Sequence, residues 1–206
     1  MSFEGRIEYR SALPRDGAGM GAIDDSFTTD TVYEVVVEEE AFTLRPVSVD
    51  PPLVKVFPAE DEGEREDEDE DEDDADDEST GRHVVVAVHG ETDADAETDT
   101  DTDTVCGYVE VEVQEWNRRL VVHVIAVAPG YRGRGVGAGL MERALAYGSS
   151  HGARTAWLET TSVNVPAVRA YRRMGFVLCG LDTTLYNGTS SEGETALFMS
   201  KPIDGG

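Results

Sequence analysis

Lysine is almost missing from these 206 residues: only Lys55 and Lys201 occur. Cysteine is as rare, with Cys106 and Cys179 alone, each set in an apolar strand pattern. Two such residues make no disulfide framework. Without a Cys/His spacing they make no zinc site either, and they read as small core hydrophobes in a reducing compartment. No apolar run reaches bilayer-spanning length and the N-terminus has no signal-peptide core, so a cytoplasmic protein without a membrane partner is expected. Positive charge is scarce throughout. Seventeen Lys and Arg face 43 Asp and Glu, for a formal net charge of −26, which excludes the basic surface a nucleic-acid partner needs.

The acid is concentrated in two places. Residues 60–80 hold sixteen carboxylates against Arg65 and residues 91–104 hold seven with no base, leaving the other 171 residues at a net −4. Like charges this dense repel one another and offer nothing to bury, so both tracts are expected to be disordered acidic insertions. Keeping a halophile-like surface hydrated in concentrated salt explains them more simply than drawing in a cationic substrate by a long-range field. The acids lack the spacing of a calcium loop, and no metal is expected. The length fits one domain. Residues 1–26, Gly-rich and aperiodic, read as a flexible lead-in to a folded domain over 27–203.

Periodicity predicts strands over 31–37, 42–47, 83–89, 105–115, 120–127, 156–161, 176–186 and 194–200, with helices over 135–149 and 165–174. Residues 49–58 contain three prolines and read as extended loop. The helix over 135–149 buries Val136, Leu140, Met141, Ala144 and Leu145 on one stripe. This order is α/β or α+β with a mixed central sheet and flanking helices.

Residues 127–138, VAPGYRGRGVGA, join an apolar strand to that helix. Glycines at 133, 135 and 137 let backbone approach a ligand, and the helix N-terminus that follows favours a phosphate or pyrophosphate, as do Arg132 and Arg134. Neither a P-loop ending nor a Gly-x-Gly-x-x-Gly opening is present. Thirty residues on, Asn164 and Pro166 open the second helix, Val165, Val168 and Tyr171 fall at helical spacing, and Gly175 closes it. Read by itself, Tyr171 is either a core aromatic or a site residue.

Arg132-x-x-Gly135-x-Gly137 resembles the acetyl-coenzyme A signature of the GNAT N-acetyltransferase superfamily, and the Asn164, Tyr171 and Gly175-Phe176 pattern resembles its second helix. The resemblance implies an acyl-CoA N-acyltransferase fold, although the two helices usual after the first strand are not evident. It implies acetyl-CoA as co-substrate, held by Val127, Arg132, Gly133, Arg134, Gly135, Val136, Gly137, Ala138 and Asn164. Tyr171 would protonate the departing thiolate, and the Val127 N–H would face the developing oxyanion.

Residues 49–57, Trp116-Asn117, 176–186 and 194–200 are similar to streptothricin acetyltransferases, which acetylate the β-lysine amine of that antibiotic. A primary amine of a small cationic molecule is the implied acceptor, with Asp182, Tyr186 and Glu110 lining its pocket. The implied role is antibiotic resistance. Another amine (a polyamine, an amino acid or a protein lysine) or a non-catalytic acyl-CoA sensor remains as an alternative, and monomer and homodimer stay open. The base is also open. Where those enzymes carry acids before the phosphate loop, this chain has His123 and Val124. His123 shares strand parity with Val121 and Val127, and an imidazole suits proton abstraction at neutral pH. Glu159, Glu110 and Glu112 are the other candidates.

Overall fold

The computed structural model describes residues 6–57, 81–90 and 104–203; the acidic tracts at 60–80 and 91–103 lie outside these described residues. In chain order the elements are β1 (Arg6–Ser11), α1 (Gly17–Gly21), β2 (Phe27–Val37), β3 (Phe42–Lys55), β4 (Arg82–Gly90), β5 (Thr104–Gln114) and β6 (Arg119–Val127). There follow α2 (Val136–Ser150), β7 (Thr155–Thr161), α3 (Val165–Arg173), β8 (Val177–Asp182) and β9 (Ala196–Pro202). Seven strands make one mixed sheet in the order β1-β4-β5-β6-β7-β9-β8, and β2 and β3 form a separate ribbon. Only β6 and β7 run parallel; every other neighbouring pair in that sheet is antiparallel.

The mixed sheet is the α+β arrangement that the pattern predicts, and α2 packs across β4, β5 and β6. Its buried stripe is Val136, Leu140, Met141 and Ala144, with Leu145 half-buried. They meet Val109, Val111, Leu120 and Val122 from the sheet. Burying a side chain such as Leu140 contributes about 2 kcal/mol over leaving it in water. Gly139 lies under Tyr9, where a Cβ would collide with the phenol ring.

Several boundaries differ from expectation, each for a local reason. The lead-in is structured from residue 6: β1 pairs with β4, and Ile7 and Tyr9 pack on the core. A buried Asp16 closes the segment after it, bonding Arg10 at 2.6 Å and the Leu13 N–H at 2.7 Å. Between β1 and β4 stand the five-residue α1 and the ribbon of β2 and β3. Strand β3 runs on through residues expected to be loop, because a two-stranded ribbon has open edges that do not need a proline N–H. Strand β8 ends at Asp182, whose carboxylate turns back onto the N–H groups of Thr184 and Leu185. Cys106 is buried as expected, but Cys179 is exposed, since β8 bulges at that residue against β9.

Among the described residues no helix is long and apolar enough to cross a membrane.

Candidate active site

Strand β6 contains the irregularity that creates the site. Opposite β5, Val111 pairs with Val122 but Glu110 pairs with Val124, so His123 is an extra residue in the ladder. A bulge resets the side-chain alternation. Val121 lies opposite Glu112, whereas Ile125 and Val127 lie opposite Val109 and Gly107, on the other face. The expectation that Val121, His123 and Val127 share a face is therefore corrected. His123 is exposed and bonds Glu112 at 2.9 Å.

Parallel pairing between β6 and β7 stops at Val122 and Leu158, and the strands separate beyond it. Val127 and Gly107 face each other, and the adjacent bond runs from the Ala128 N–H to the Cys106 carbonyl at 2.9 Å. This is the pattern around a pair that does not exchange bonds, so the Val127 N–H and C=O point away from β5. The carbonyl accepts Arg132 Nε at 2.8 Å. The N–H points into the gap between the strands.

A cavity of about 560 Å³ opens at that gap, between the N-terminal end of α2 and α3. Gly133 and Gly135 hold φ of +73° and +88°, a left-handed backbone that favours glycine. Gly135 caps α2 without any side-chain bond to its first turn. Those N–H groups and the helix dipole make an anion site at the mouth of the cavity. Val127, Arg132, Gly133, Gly135, Gly137, Ala138, Asn164 and Tyr171 all line it. Arg134 and the buried Val136 side chain do not, and Val136 offers backbone alone.

The second helix is built by its ends. Asn164 Oδ1 accepts the Ala167 N–H at 3.2 Å, and Pro166 occupies the first turn. At the other end Gly175 has φ of +91°, and the Phe176 N–H returns to the Tyr171 carbonyl at 3.0 Å. That cap fixes Tyr171 on the cavity wall. Burial, then the nearby Glu159 carboxylate, pushes its hydroxyl up to about 12.

Glu159 is the first β7 residue past the last pair with β6. It lies opposite Phe198 of β9, on the face away from Leu158 and the α2 core. Tyr186 donates a hydrogen bond to it. Burial raises its carboxyl above the ordinary range; the Tyr186 bond works against this and Glu194 adds to it. Beyond stands a second carboxylate: Glu194 accepts Lys55 Nζ at 2.5 Å and Thr161 Oγ1 at 2.5 Å, while Lys55 also reaches Ser191 at 2.9 Å. Glu110 pairs with Arg82 on the strand surface, and the exposed Asp182 is held low first by its bond from the Thr184 hydroxyl. Glu110, Asp182, His123, Glu159 and Tyr186 all lie outside the lining of the cavity.

Residues 51–176 match the model of the Acetyltransferase (GNAT) family. The chain belongs to that family. It is 47% identical to the streptothricin acetyltransferase of Streptomyces lavendulae, over 95% of this chain and 94% of the relative. The crystal structure of nourseothricin acetyltransferase matches with a TM-score of 0.79 at 44% identity, covering 96% of this chain and 99% of that one. A Bacillus anthracis protein solved with acetyl coenzyme A shares the fold, with a TM-score of 0.72 at 20% identity over 98% and 100% of the two chains.

As a GNAT acetyltransferase the chain uses acetyl-CoA as co-substrate. The cavity fits it, with an anion site at its mouth, small Ala167 and Ala170 along α3, and a backbone donor at the gap. Sequence reasoning missed Asp25 and Phe27 in the cavity wall, because they fall in what read as lead-in and its first residue beyond. It missed Lys55 and Glu194 as well. Their 139-residue separation leaves no local signal.

Proposed function

We propose that this enzyme acetylates the β-lysine amine of a streptothricin-type antibiotic. The observation that carries the substrate is the near-full-length likeness to the Streptomyces lavendulae enzyme. Glu159, just past the last pair of β6 and β7, is the carboxyl set to meet a cationic amine. Acetylation turns that cation into a neutral amide, the chemistry of resistance. The cytoplasm, where both cysteines stay as thiols, is its setting.

Acetyl-CoA supplies the acetyl group; the protein supplies three proton and charge tasks. An alkyl ammonium with a pKa of about 10.4 has no lone pair for attack. Glu159 takes that proton, oriented by Tyr186 and raised by burial toward the working range. The Val127 N–H stabilises the charge that develops on the carbonyl oxygen. Tyr171, kept protonated by its burial, gives its proton to the departing sulfur. His123 has no part in this assignment, being exposed on its strand and bonded to Glu112.

Free-thiol release from acetyl-CoA, with streptothricin beside a panel of polyamines, amino acids and lysine peptides, is the test. Turnover with streptothricin is expected. Turnover only with another amine moves the acceptor, and tight acetyl-CoA binding without turnover on any amine overturns the catalytic reading.

A further inference from the structure

We propose that Arg132 is a positioning residue that latches residues 24–26 onto the end of β6, and that it is not a ligand of the co-substrate's phosphates. This rests on the acetyl-transfer reading above. The guanidinium is committed to backbone: Nε donates to the Val127 carbonyl at 2.8 Å, Nη1 to the Ser26 carbonyl at 2.6 Å and Nη2 to the Asp24 carbonyl at 2.5 Å. Three carbonyls from two chain segments over one hundred residues apart meet one planar fork of donors. A lysine cannot reproduce that geometry.

Two parts of the site depend on the latch. Gripping the Val127 carbonyl restrains the residue whose own N–H is the oxyanion donor, and that restraint acts where β6 has lost its β7 neighbour. Gripping Asp24 and Ser26 holds the segment that delivers Asp25 and Phe27 to the cavity wall. Segment 24–26 links α1 to β2 and belongs to neither, so the guanidinium restrains a piece of chain without ladder bonds of its own. Anion recognition then falls to the first-turn N–H groups of α2 and to Arg173, which lines the same cavity.

The experiment compares wild type, Arg132→Met and Arg132→Lys with two acetyl donors: acetyl-CoA, and S-acetylpantetheine, which carries no phosphate. Amide hydrogen exchange at residues 24–28 is measured on the same proteins, with β4 and β5 as the internal reference for global folding. A latch predicts that both variants lose about tenfold or more in kcat with either donor. The donor preference stays unchanged, and exchange speeds up at 24–28 while β4 and β5 stay protected. A phosphate ligand predicts a raised KM for acetyl-CoA alone, a collapsed preference for it over S-acetylpantetheine, and unchanged exchange; that result overturns the proposal. So does wild-type behaviour in Arg132→Lys. Should wild type turn over no amine at all, the exchange comparison still decides the latch, separately from the failure of the enzyme reading.

Discussion

Tyr171 and Glu159 have their titrations moved in the same direction, upward, with different consequences. A phenol pushed up to about 12 keeps its proton through neutral pH, so it remains a donor. Tyr171→Phe is therefore expected to cut kcat about a hundredfold with the KM for acetyl-CoA nearly unchanged, as followed by thiol release. A raised carboxyl, by contrast, loses its function as a base when pH falls through that raised value. Glu159→Gln should cost about a hundredfold in kcat. Glu194→Gln, by removing a charge that lifts Glu159, should shift the acid limb of kcat/KM to lower pH. The stability sign is the reverse of the usual carboxylate case. Folding favours the protonated form, so ionised Glu159 costs stability above its folded pKa and nothing below about 4.3, where folded and unfolded forms are both protonated. Glu159→Gln should thus melt higher than wild type at neutral pH and level with it at acid pH; an equal gain at both would contradict the burial argument. The placement of Tyr171 and of the loop glycines at the cavity was legible because each is tied to a cap or a turn within a few residues. The surroundings of Glu159 were less so, since its partners Tyr186 and Glu194 come from a distant loop.

At the scale of elements, whatever is encoded locally was readable. The stripe of α2 and both ends of α3 stand where spacing and caps put them. The bulge at His123 was not, because an extra residue inside a run of valines leaves no mark on composition, yet it moves Val127 to the opposite face. The continuation of β3 was hidden by its prolines, whose low strand propensity is overridden by pairing with β2, and β1 by being a six-residue strand whose partner β4 lies far along the chain. The Lys55–Glu194 pair ties this ribbon to the loop before β9, with the side chains only 11% and 13% exposed. Removing one partner strands a nearly buried charge. Lys55→Met alone should lose about 3 kcal/mol in denaturant unfolding, and Lys55→Met with Glu194→Gln substantially less. Equal losses would mean that the pair is more solvated than its burial indicates.

For the whole molecule, the net charge of −26 is the dominant fact. Mutual repulsion works against compactness, and raising salt from 0.1 M to 1 M shortens the screening length from about 10 Å to about 3 Å. The melting temperature should therefore climb steeply with potassium chloride. If the acidic tracts serve hydration, as their composition leads one to expect, kcat/KM for the cationic acceptor should change little over that range; a steep fall would make them an attracting field instead. The sequence showed this charge and its location plainly, while the register of seven strands needed contacts spread across the chain. The close passage of Gly139 beneath the Tyr9 ring carries a consequence for descent. A side chain at 139 requires the Tyr9 ring to move aside or position 9 to become smaller. The two sites, far apart in the gene, should behave as a single inherited character, and a library randomised at both should return large residues at one only beside small residues at the other.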